Sequence, residues 1–91
     1  MSAHAITGEL CFGNAVAALD AARTALSSGQ GPFELDLGAV TRADSAGLAL
    51  LLELSREARA AGRELTCQRA PEQLRRLAGF FGVTEVLALS S

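Results

Sequence analysis

Ninety-one residues make one small domain, spanning 1–91, with room for a single core and little stability in reserve. Hydrophobic residues form 49% of the chain, mostly Leu and Ala, so a packed globule is expected and disorder is excluded. Four Phe, no Trp and no Tyr offer no stacking platform for single-stranded nucleic acid, and a net charge of −2 provides no attraction to a phosphate backbone.

The chain opens without the basic stretch and apolar run of a secretory signal. Its longest apolar run, Ala46 to Leu52, is far short of the roughly 20 residues that span a bilayer. A soluble cytoplasmic protein without direct membrane insertion is the expectation. There is no linker, repeat or low-complexity tract.

In chain order, Ala5 to Leu10 reads as a short strand, with little before it and so a candidate sheet edge. Phe12-Gly13-Asn14 turns the chain, and Asn14 is placed to cap a helix whose apolar positions are Val16, Leu19, Ala22 and Leu26. Ser27 to Pro32 breaks both helix and strand.

Phe33 to Leu37 is the second strand, followed by a turn through Gly38 to Arg42. A helix then starts at Asp44-Ser45, where a side-chain oxygen can accept from an orphan backbone N–H, and runs to about Ala61. Gly47 lets the first turn of that helix lie close to whatever packs on it. Glu64 to Gln68 is a third strand. Pro71 suits the first turn of a third helix with Leu74, Leu77, Ala78 and Phe81 on its inner face, and Gly82 ends it. Val83 to Leu89 closes the chain as a short strand or as turn plus helix. Strands alternating with helices imply crossover units with helices against one side of a sheet.

Placed at about 100° per residue, the central helix has its core face at Leu51, Leu54, Ala58 and Ala61, with Leu50 at the margin. Leu48 and Leu52 fall well round from that centre, beside Ser45, Ser55, Arg56 and Arg59. Apolar residues among arginine and serine suggest a partner-binding patch, and burial under the third helix is the alternative. Arg75 and Arg76 on the third helix extend a basic border. Thr41 and Arg42 are expected on an exposed loop at the same end.

Catalytic readings lack support. His4 is the only histidine and sits near the terminus, no carboxylates pair at helical spacing, and no phosphate-binding loop of the GxxxxGK type occurs. Cys11 and Cys67 are too few for a metal cluster and read as free thiols. A non-catalytic binding module, without metal or cofactor, is expected.

The run Asp36-Leu37-Gly38-Ala39-Val40-Thr41-Arg42-Ala43-Asp44-Ser45-Ala46-Gly47-Leu48 resembles the signature region of STAS domains, the fold shared by sulfate transporters and anti-sigma-factor antagonists. Gly8-Glu9-Leu10, Ala70-Pro71 through Leu77, and Phe81-Gly82-Val83 are similar to the family's early strand and closing segment. The resemblance implies a small α/β STAS-like fold with a mixed sheet of about four strands and helices mainly on one side. The strand that usually precedes Ala5 in this family has no counterpart here.

Within the family, the compact length, the Leu-rich run after Asp44-Ser45 and the closing Ala-Pro segment are most similar to the MlaB-type STAS subunit of a bacterial phospholipid-trafficking ABC transporter. That branch implies docking on the cytoplasmic ATPase, through Asp44, Ser45, Leu48, Leu52, Arg56, Arg59, Arg75 and Arg76, peripheral to the inner membrane. The anti-sigma-antagonist branch implies instead an anti-sigma kinase as partner, with Ser45 phosphorylated as the switch.

Overall fold

A computed structural model of the protein describes residues 3–90. Six elements follow one another: β1 (His4–Leu10), α1 (Ala15–Ser27), β2 (Phe33–Ala43), α2 (Ser45–Ala60), β3 (Leu65–Gln68) and α3 (Glu72–Phe80). The strands form one sheet in the order β1-β2-β3, and both pairings are parallel. Parallel neighbours cannot be joined by a hairpin, so each needs a crossover, which α1 and α2 supply. These two helices pack on each other, and α3 packs on α2 and β2, which gathers the helices on one side of the sheet.

Alternation along the strands sets that side. Ile6, Leu10, Phe33, Leu35, Leu37, Leu65 and Cys67 are buried against the helices. Glu34, Asp36, Thr66 and Gln68 take the other face, where Gln68 Nε2 donates to Glu34 Oε2 at 3.0 Å and Arg69 pairs with Asp36 at 2.6 Å. The core completes itself with Leu51 and Leu54 of α2, Leu74 of α3 and Leu87.

The expected α/β architecture is present, with three strands rather than about four among the described residues and with parallel pairing between them. The fourth position is represented by Leu89, which makes an isolated parallel bridge to Cys67 beside β3. Ser90 N–H donates to the Cys67 carbonyl at 3.0 Å and fixes the same segment there. The rest of Val83 to Leu89 is turn rather than strand.

Three local expectations are corrected. β2 does not turn at Gly38 but continues to Ala43, because β1 pairs alongside it from Thr7 opposite Ala39 to Leu10 opposite Ala43. Irregularities between Ala5 and Thr7 and between Gly8 and Glu9 break the register, and buried positions on β2 fall at Leu37, Val40 and Ala43, a spacing without strand alternation. Gly8 takes φ +80° at this irregular stretch. Asn14 stands at the N-cap position of α1, yet its side chain turns backwards to the Cys11 N–H and the Glu9 carbonyl and caps nothing. Phe81 is 55% exposed beyond the end of α3 and is not part of its inner face.

Arg63 holds the α1–β2 connection. Its guanidinium donates to the carbonyls of Leu26 at 2.6 Å, Gly31 at 2.8 Å and Pro32 at 3.1 Å, and lies 5.0 Å from the centre of the Phe33 ring. One side chain thereby satisfies a carbonyl of the last turn of α1 and the loop that leads into the central strand.

Candidate functional site

The end of the sheet where β1 and β2 finish is also where α1 and α2 begin. Asp44 stands between them in extended conformation, φ −126°, as the N-cap of α2. Its Oδ1 accepts from Ala46 N–H at 2.9 Å and Gly47 N–H at 3.2 Å, and its Oδ2 accepts from Phe12 N–H at 3.3 Å. Its own N–H donates to the Leu10 carbonyl at 3.3 Å. Burial pushes the Asp44 carboxyl upward, but those backbone N–H groups and the charge of Arg42 outweigh it and hold the group below the usual carboxylate range.

Ser45 is the first residue of α2 and is exposed; Asp44, not Ser45, is the cap. Gly47, two residues on, is buried with an ideal Cβ position only 2.2 Å from the Leu10 carbonyl oxygen, so α2 touches the end of β1 backbone to backbone. This is the close approach expected of that glycine.

The structure divides the proposed partner-binding residues. Leu48 is 3% exposed and belongs to the core, so it offers a partner nothing. Leu52 is half-buried and packed on the core. The buried arc of α2 is wider than the expected stripe because α3 and the closing segment cover its second flank, where Ser55 Oγ donates to the Val86 carbonyl at 3.5 Å. Arg56, exposed, is paired with Glu53 of its own helix and holds that carboxyl down at about 2.

Arg76 pairs with Glu72 at 2.9 Å, and Arg75 Nε donates to the Ala70 carbonyl at 3.2 Å, so both arginines are tied to their own helix and its start. Arg59 is exposed and has no ion-pair partner among the described residues. α3 reaches the Asp44 end by another group: Gln73 Oε1 accepts from Ala43 N–H at 3.1 Å. Thr41 and Arg42 are exposed strand residues, and Arg42 pairs with Glu9 at 3.3 Å.

Sequence reasoning missed the exposed apolar groups at this end. Phe12 is 85% exposed and Val16 is 71% exposed, although the helical spacing had placed Val16 inward. Val16, Ala15 and Leu19 of α1 face Ala46, Ala49 and Leu50 of α2 across a shallow, almost wholly apolar groove with Glu53 at its rim. Ser45 precedes Ala46 of this lining in sequence and is not itself part of it. The available signal was Phe12 in a Gly-Asn turn, a large apolar residue where the chain has to be at the surface.

The two thiols and the one histidine are placed differently. Burial pushes the Cys67 thiol up to about 12, which keeps it protonated at neutral pH. Cys11 is half-buried, with its Sγ 3.9 Å from the Arg42 carbonyl. His4 stacks near Phe33 at 6.4 Å, at the opposite end of β1 from Asp44. Among the described residues no three His, Cys, Asp or Glu side chains converge as a metal site, and no helix is long and apolar enough to cross a membrane.

Parallel crossover units, with Asp44 capping α2 and exposed apolar side chains near the helix starts, define a small α/β domain. The chain belongs to the STAS domain family: residues 4–89 match the family profile described as "Mlab, STAS domain". This family is generally non-catalytic. The fold is similar to that of a crystal structure described as a sulfate transporter family protein from Wolinella succinogenes. The TM-score is 0.71 at 22% identity, over 94% of this chain and 70% of that one. Among curated protein sequences none matches significantly.

Proposed function

We propose that the domain is a non-catalytic adaptor subunit that docks on the cytoplasmic ATPase of a phospholipid-transporting ABC transporter and supports its assembly or activity. The observation that carries this reading is the surface at the starts of α1 and α2, where Phe12 and Val16 are exposed, Val16, Ala46 and Ala49 line an apolar groove, and Ser45 is exposed at the first position of α2. The match to the family profile described as "Mlab, STAS domain" is consistent with this choice of partner class. Apolar anchors ringed by polar groups are the usual composition of a protein interface centre.

The contact face therefore differs from the sequence expectation. Phe12 and Val16 replace Leu48 as the apolar contacts, Leu48 belongs to the core with Leu52 packed on it, and Arg59 lies toward the far end of α2, with Arg63 and Leu65. The protein acts on the cytoplasmic side of the inner membrane through this partner. Binding shifts the ATPase only as far as the contacts differ between its conformations.

Affinity purification of the tagged protein from its native cells, with mass spectrometry of what is retained, tests the reading. Recovery of an ABC ATPase with its permease is expected, and Phe12→Asp should abolish that recovery while leaving the domain folded. Recovery of a histidine-kinase-like anti-sigma factor in its place would overturn the transporter role.

That outcome would favour the second reading, an anti-sigma-factor antagonist switched at Ser45. One observation speaks for it: the Ser45 hydroxyl is exposed and not used as the helix cap. A phosphate there would sit favourably at a helix N-terminus yet place two negative charges beside the apolar groove. A kinase-dependent mass shift at Ser45 that ends binding is the matching test.

A further inference from the structure

We infer that Asp44 is the positioning residue of the docking surface: one carboxylate oxygen caps α2 while the other clamps the turn that presents Phe12. The inference rests on the adaptor reading for its purpose but not for its geometry. A side chain that is 85% exposed can act as a rigid anchor only where its backbone is fixed, because ordering a loose turn on binding subtracts from the affinity. Three attachments fix this turn. Asn14 Oδ1 accepts from Cys11 N–H at 2.9 Å while its amide donates to the Glu9 carbonyl, Asn14 N–H donates to the Cys11 carbonyl at 3.1 Å, and Asp44 Oδ2 accepts from Phe12 N–H at 3.3 Å.

The first two attachments are internal to residues 9–14 and set the shape of the turn. Among the described residues, the Asp44 bond is the hydrogen bond that ties the Phe12 backbone itself to the cap of α2, beside the Cys11 Sγ contact with the Arg42 carbonyl, and so it helps to fix Phe12 relative to the apolar groove. Asp44 is itself immobile: its N–H is held by the Leu10 carbonyl, its carbonyl accepts from Leu48 N–H at 3.1 Å, and Oδ1 holds two further N–H groups. Both oxygens are needed, and this requirement separates Asp from the other good capping residues. An asparagine has one acceptor oxygen; once that oxygen serves Ala46 and Gly47, its NH₂ group faces the Phe12 N–H, donor against donor. A serine reaches the helix N–H groups with a single oxygen and leaves Phe12 unheld.

Asp44→Asn and Asp44→Ser are therefore separation-of-function variants, and both keep a competent N-cap, so both should fold. Residue-resolved amide hydrogen exchange on the free full chain reads the clamp directly. In both variants Phe12 N–H should exchange about tenfold faster, the effect of one lost charge-assisted bond. Ala46 and Gly47 protection should change by less than about threefold. Unchanged Phe12 protection in both variants, or equal loss at Phe12, Ala46 and Gly47, would overturn the clamp.

Recovery of the ATPase on tagged Asp44→Asn, set against wild type and Phe12→Asp, then reads the positioning role. Reduced recovery with α2 protection intact supports it, and full recovery with a released Phe12 overturns it. If wild type itself recovers no ATPase, the adaptor reading fails while the exchange result still decides the clamp.

Discussion

Gly47→Ala makes a demanding test of how α2 seats on β1. A methyl at this position would lie 2.2 Å from the Leu10 carbonyl oxygen, 2.9 Å from Leu10 Cγ and 3.1 Å from its carbonyl carbon. Carbon and carbonyl oxygen ordinarily approach to about 3.3–3.6 Å, so helix and strand must part by roughly 1 Å. The end of β1 cannot follow freely, since Leu10 pairs with Ala43 and its carbonyl holds the Asp44 N–H. Overpacking of this kind costs about 1–3 kcal/mol, and the strained Asp44–Leu10 hydrogen bond about 1 more. Alanine's better helix propensity returns about 1 kcal/mol. The net loss is about 2 kcal/mol, a sizeable part of the roughly 5–15 kcal/mol that holds a small domain together. Urea denaturation followed by far-ultraviolet circular dichroism measures it, with Gly13→Ala as control, because an added Cβ at Gly13 meets nothing within 4 Å. A Gly47→Ala midpoint that matches the control would refute the close-contact argument.

Arg63→Ala should destabilise the domain by about 2–3 kcal/mol through three carbonyls left without their cationic donor. Arg63→Lys should restore less than half of that in the same urea experiment, since an ammonium cannot fork between carbonyls and lie on Phe33; equal stability of the two variants would argue against it. The carboxyls of Asp36, held by Arg69, of Asp44, and of Glu53 all titrate below their unfolded values. Their contribution is fully present above the unfolded carboxylate range and is lost as pH falls from about 5 toward 2. Thermal unfolding midpoints should fall across that window, and a midpoint that rises would contradict the assignment. Cys67, protonated and buried, should resist iodoacetamide in the folded protein while Cys11 reacts, as peptide mapping can show. Equal labelling of the two would mean that the β3 core opens far more readily than its packing implies.

The parts of the fold legible in the sequence were those fixed by local chemistry. Asp44 and Gly47 announce a capped helix in close contact, and Leu51, Leu54 and Ala58 mark its core stripe without reference to any neighbour. What stayed hidden depends on partners distant in the chain. The length of β2 is set by β1, whose irregular pairing removes the alternation that would have marked residues 38–43 as strand. Leu48 looked peripheral on the helical wheel and is buried because α3 and the closing segment fold over that flank. Nothing local to Arg63 marks it as a tie, since the carbonyls that it binds are more than 30 residues away. At the site, Ser45 was identified from its place in the motif, whereas Phe12 and Val16 were not: Phe12 stands on a turn, and Val16 lines the groove left open between α1 and α2.

The interrupted pairing of β1 bears on company as much as on shape. β1 ends the sheet among the described residues, and a straight outer edge there would invite a second copy to add its own strand and then a third. Register breaks on both sides of Gly8, together with its left-handed backbone, bend the row of outward N–H and carbonyl groups out of line. Such an edge resists templating. An incoming strand would meet a bent, irregular backbone there in place of a straight row of unpaired groups.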